Sequence, residues 1–147
     1  MEKIKIEFQK LNPDAIVPSY GTSFAAGADL YSADDDTVIN PGDTAFIHTG
    51  LALAIPEDLV GLIYARSGMA CKRGIAPANK VGVIDSDYRG EIIVALHNHG
   101  KDEVTVVKGE RVAQIVFTPY YAADFLETDE LPETTRGTGG FGSTGRS

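Results

Sequence analysis

The chain is 147 residues long, enough for one domain with its own core, and its 43% hydrophobic content excludes a largely disordered protein. A formal charge of −8, from 13 Lys and Arg against 21 Asp and Glu, excludes the broad basic face of an ordinary nucleic-acid binder. Any polyanionic ligand must therefore be neutralised locally, by a few arginines, by backbone amides and by a divalent cation.

At the N-terminus, MEKIKIEF alternates Ile4, Ile6 and Phe8 at the period of a strand and lacks a signal peptide's uninterrupted apolar region. No apolar run is long enough to span a bilayer, and the single cysteine, Cys71, excludes an intrachain disulfide. The expectation is an intracellular protein, cytoplasmic or, in a eukaryote, nuclear or organellar, with no membrane and no nucleic-acid partner. GADLYSA follows, with Asp29 between small residues at the head of an apolar strand. One Asp is not a metal site, but it can hold waters of a magnesium shell while phosphates fill the rest.

The turn NPGD at 40–43 leads towards LALAI, which alternates Leu51, Leu53 and Ile55, and the turn IPED at 55–58 leads into LVGLIYA. ARSGMACKRG then opens with Arg66, Ser67 and Gly68: a forked permanent cation, a hydroxyl and an approachable backbone amide. A short turn of helix is expected over SGMACK, and its start would favour a bound anion. Taken alone, a three-residue pattern is better explained as a capped helix start with a surface arginine. Cys71 reads as a small, partly buried hydrophobe.

NKVGVIDSDYRGEIIVAL, residues 79–96, reads as a β-hairpin with VGVI and EIIVAL as arms and DSDYRG as the turn. Asp87 is an ordinary turn residue, whereas Asp85 ends an apolar run, where a carboxylate can act as a general base on water. Asn79 offers an amide able to read a base edge, and Tyr88 a flat ring. After the turn NHGKDE come EVTVV, the turn KGE and RVAQIVF, with Gln114 entering the last strand, suited to a phosphate, a water or plain solvent. His97 and His99 have no third ligand near them in sequence, which argues against zinc. There is no GxxxxGK[ST] loop. Many short strands with frequent turns predict an all-β sandwich, jelly roll or small barrel over 1–133. From Thr134 onward TTRGTGGFGSTGRS offers one apolar side chain, Phe141, and reads as a flexible arm over 134–147.

In this order AGADLYSA, RSG, NKVGVIDSDYRGE, GERVAQI and RGTGGFGSTG resemble the five motifs of the trimeric dUTP diphosphatases, the dUTPases, from about Ala26 to Gly145. The chain departs from many members at Ala65, where they have proline, and at Thr144, where they have a second serine. The resemblance implies a jelly-roll-like β fold, a homotrimer with active sites at subunit interfaces, and hydrolysis of dUTP to dUMP and pyrophosphate with Mg2+. It assigns Asp85 as the base that activates water against the α-phosphorus. Arg66, Ser67 and Gly68 would hold phosphates, while Asn79, Gly82, Val83 and Ile84 would read uracil and exclude thymine's methyl. Tyr88 would pack under deoxyribose, and Asp29 and Gln114 would act on magnesium-bound water and phosphate. Arg136 would meet the γ-phosphate, Phe141 would stack over uracil, and Gly142, Ser143 and Thr144 would donate to phosphate oxygens. The same fold serves dCTP deaminases, which call for a differently equipped third motif; a catalytically retired nucleotide-binding regulator is the other alternative.

Overall fold

The period-two runs become strands, and the glycine- and proline-bearing segments become the turns between them. The computed structural model describes residues 1–145; Arg146 and Ser147, the end of the expected arm, lie outside the described residues. In chain order the elements are β1 (Glu7–Lys10), β2 (Ala28–Tyr31), β3 (Thr37–Ile39), β4 (Thr44–Ala54), β5 (Leu59–Tyr64), α1 (Ser67–Arg73), β6 (Ile75–Pro77), β7 (Gly82–Ile84), β8 (Glu91–Asn98), β9 (Val104–Val106) and β10 (Arg111–Pro119).

They form two four-stranded antiparallel sheets, ordered β1-β4-β8-β6 and β2-β10-β5-β7, and a ribbon of β3 with β9. Alternation decides which side chains meet between the sheets. Leu30, Ile63 and Ile115 of one sheet share a single buried cluster with Ile47, Ile92 and Leu96 of the other. Burying each such side chain contributes about 1.5–3 kcal/mol. The result is the expected all-β fold of jelly-roll type. Among the described residues no helix is long and apolar enough to cross a membrane.

The structure corrects four local expectations. VGVI and EIIVAL are not arms of one hairpin: β7 pairs with β5, whereas β8 pairs with β4 and β6 in the other sheet. Residues 85–90 therefore carry the chain between sheets, folded by the Tyr88 N–H donating to the Asp85 carbonyl at 3.1 Å. LALAI does not alternate, because Leu51, Ala52 and Leu53 are all buried. Residues 12–15 cover the second face there, where a Cβ on Gly50 would come within 2.9 Å of Asn12 and 3.0 Å of Ala15. Only Glu7–Lys10 of the first alternating run forms a strand, an exposed edge. Cys71, expected to be partly buried, is exposed.

Candidate active site

The register of three strands assembles one corner of the molecule. Gln114 of β10 lies opposite Asp29 of β2 on one side and opposite Tyr64 of β5 on the other. Chain leaving β5 therefore reaches Arg66 beside Asp29. Arg66 donates its Nε to Asp29 Oδ1 at 2.9 Å, and Arg111 brings a guanidinium nitrogen to within 3.5 Å of Asp29 Oδ2. Both carboxylate oxygens thus face arginines while the Asp29 side chain keeps only 13% of its surface in solvent. A carboxylate so sheltered from water has its charge matched by these two cations.

Gln114 donates Nε2 to the Ala65 carbonyl at 2.9 Å, fixing the residue just before Arg66. Its position also explains a glycine, since a Cβ on Gly27 would lie 2.2 Å from Gln114 Oε1.

Past Arg66, whose backbone is extended, the expected short helix forms as α1. Met69 anchors it in the core, and Gly74, left-handed at φ 69°, ends it by donating to the Met69 carbonyl. Ser67 and Gly68 stay exposed in its first turn. A Cβ on Gly68 would meet nothing within 4 Å, so no contact within the chain requires a glycine there. Beside the helix lies a cleft of about 330 Å³ lined by Arg66, Gly68, Met69, Lys72, Arg73, Glu110 and Arg111. Four cations against one lining carboxylate make it the local positive site that a polyanion would need on an acidic chain.

The Asn79–Tyr88 segment is built for close approach. A Cβ on Gly82 would stand 3.3 Å from the Asn79 amide nitrogen and 3.3 Å from Ile63 Cβ, so glycine lets that amide lie over β7. Val83 is exposed and Ile84 half-buried. Tyr88 donates its hydroxyl to the Glu91 carbonyl at 2.8 Å. Its ring covers Gly90, where a Cβ would come within 2.4 Å of that hydroxyl. Asp85 is exposed.

Asp29, Arg66, Ser67, Gly68 and Gln114 are brought together; Asp85 and the arm are not among them. Ile84 pairs with Gly61 near the start of β5, whereas Arg66 follows the other end of that strand. The run from Val60 to Tyr64 alone is roughly 13 Å at strand rise. The arm bonds to itself: Arg136 donates Nε to the Gly139 carbonyl at 2.7 Å, and the Ser143 N–H donates to the Gly140 carbonyl at 3.0 Å. Phe141 is fully exposed at φ 52°, with Gly142 at φ 81° and Ser143 and Thr144 also in solvent. Sequence reasoning missed Arg111, Glu110 and Arg73. Each is an ordinary charged residue within two positions of a left-handed glycine, Gly74 or Gly109, and only the pairing of distant segments marks them.

The dUTPase family model matches residues 13–145. The deoxyuridine 5'-triphosphate nucleotidohydrolase of Desulfitobacterium hafniense is 50% identical over 145 residues, covering 97% of this chain and 96% of that protein. The protein of the same name from Nautilia profundicola is 48% identical over 143 residues, covering 97% and 100%. Among solved structures, the dUTPase of Staphylococcus bacteriophage 80alpha with dUPNHPP superposes with a TM-score of 0.90 at 27% identity, over 98% of this chain and 100% of that one. With a family model spanning most of its length and relatives near half identity, the chain belongs to the dUTPase family.

Proposed function

We propose that this chain is a cytoplasmic enzyme that hydrolyses dUTP to dUMP and pyrophosphate, at sites shared between the subunits of a homotrimer. It would thereby keep uracil out of DNA and supply dUMP for thymidylate synthesis. The observation that carries this reading is Gly68, a glycine with open space before it on the rim of a cationic cleft. What the chain does not require of that residue, a ligand would: backbone close enough to donate an N–H to phosphate.

Phosphoryl transfer asks a protein for positioning and charge stabilisation. Arg66, Ser67 and Gly68 hold the phosphates, with Arg66 aimed by Asp29 and the Ala65 carbonyl fixed by Gln114. The remaining N–H of the Gln114 amide is free for a phosphate oxygen. Asn79, Gly82, Val83 and Ile84 read uracil and leave no room for a C5 methyl, while Tyr88 packs under deoxyribose. Asp85 takes a proton from the water that attacks the α-phosphorus, and its exposure gives water free access. From a neighbouring subunit the 134–147 arm closes over the ligand. Arg136 meets the γ-phosphate, Phe141 stacks on uracil, and Gly142, Ser143 and Thr144 donate to phosphate oxygens.

Among the described residues no group of three His, Cys, Asp or Glu side chains could cage a metal ion. The chain therefore fits a magnesium ion that arrives on the triphosphate. Its chemistry there is neutralisation of phosphate charge. Asp29 retains lone pairs beyond its two arginine contacts and would reach that ion through water.

Two observations support shared sites. Asp85 and Arg66 stand at opposite ends of β5, and Tyr121, Phe125, Leu126 and Leu131 project almost wholly into solvent from the extended segment after β10. Such apolar exposure marks a surface for another chain. The test is pyrophosphate release from dUTP, dTTP, dCTP and UTP, with and without magnesium. Magnesium-dependent release from dUTP alone is expected. Equal rates on dUTP and dTTP, or ammonia from dCTP, would overturn the assignment.

A further inference from the structure

Both ends of α1 are tied down by an arginine–carboxylate pair, the start to β2 and the end to the turn just before β10. At its start Arg66 binds Asp29, which Arg111 also approaches. At its end Arg73 donates one guanidinium nitrogen to Glu110 Oε1 and another to the Thr105 carbonyl at 2.7 Å. The second Glu110 oxygen accepts the Val107 N–H at 2.9 Å, and the Glu110 carbonyl accepts the Ser32 N–H at 2.9 Å. Glu110 is thus held by two backbone N–H groups before it meets Arg73, a fixed post and not a mobile counterion. The pair is half-sheltered, with 34% of the Arg73 side chain and 22% of the Glu110 side chain in solvent.

Resting on the reading of Ser67 and Gly68 as phosphate donors, we infer that Glu110 is a positioning residue: through Arg73 it pins the far end of α1, so that the Ser67 hydroxyl and Gly68 amide face the phosphates in one fixed orientation. A seven-residue helix whose first turn carries no side-chain cap has little stiffness of its own. Asp29 alone would leave it hinged at its start. Two clamps, one on β2 and one on the turn before β10, remove that freedom.

The sign of one substitution separates positioning from simple charge. Glu110→Gln keeps the shape and removes a negative charge from a cationic cleft, so electrostatics alone predicts tighter binding of inorganic pyrophosphate. Positioning predicts the reverse. In Glu110→Gln and in Arg73→Lys, pyrophosphate affinity should fall at least tenfold and the KM for dUTP should rise comparably. In both, dUMP affinity should hold within twofold. Glu110→Asp should recover part of the loss. Unchanged or tighter pyrophosphate binding, or a parallel loss of pyrophosphate and dUMP binding with a lowered melting temperature, would overturn the inference. Wild-type protein that bound neither ligand would overturn the functional reading along with it.

Discussion

Arg66 and Asp29, 37 residues apart in sequence, meet at 2.9 Å between Nε and Oδ1, and that bond joins the strand β2 to the start of α1. It turns a glycine-bearing helix start into an oriented cation beside two exposed donors, Ser67 and Gly68.

Replacing Asp29 by Asn should cost stability and affinity together. The side chain keeps its size, but Arg66 and Arg111 lose their shared carboxylate. Leaving a sheltered charged partner unsatisfied costs about 1–3 kcal/mol. Thermal unfolding should report that loss, and steady-state kinetics should report a raised KM for dUTP.

Gly68→Ala should separate the two. Nothing within 4 Å opposes a Cβ at this position, and alanine favours helix over glycine by about 1 kcal/mol. Unfolding midpoints should be equal or higher. The KM for dUTP should nevertheless rise, because the methyl occupies the approach to the amide. Wild-type kinetics in this variant would remove Gly68 from the phosphate site.

For Asp85→Asn the expected pattern is the inverse of Asp29→Asn. An exposed side chain outside the core contributes within about 0.5 kcal/mol to stability. A general base is worth roughly 10²–10⁴-fold in rate. Turnover should fall by that order while equilibrium binding of a non-hydrolysable dUTP analogue persists.

A chain shortened to end at Glu133 should fold normally, since the side-chain bonds in the described part of the arm, Arg136 to the Gly139 carbonyl and the Gly137 N–H to the Thr134 hydroxyl, lie within the arm itself. Its melting temperature should match the full chain while dUTP hydrolysis falls severely. Phe141→Ala in the full chain should reproduce part of that loss. Full activity in the shortened chain would make the arm a bystander.

Much of this was legible before any fold was known. The alternation of β5 and β8, the short helix after Arg66, and the order of the five motifs are local features, and local features survive folding. Partner choice is not local. Nothing in VGVI or EIIVAL reveals that one run would pair with β5 and the other with β4 and β6, so the expected hairpin became a crossing between sheets. The same limit hid Arg73 and Glu110, whose meaning lies entirely in their meeting across 37 residues. Gly27 and Gly90 carry no local signal for their roles either, because Gln114 and Tyr88 supply the crowding.

In the proposed trimer, Arg66 of one subunit and Asp85 of another would serve the same dUTP. Co-expressing Arg66→Ala and Asp85→Asn chains with different tags, and purifying assemblies that carry both, tests it directly. Each variant alone should release almost no pyrophosphate from dUTP. In a closed threefold ring, mixed assemblies should regain roughly one working site in three. Mixed assemblies as inactive as either parent would contradict the shared site.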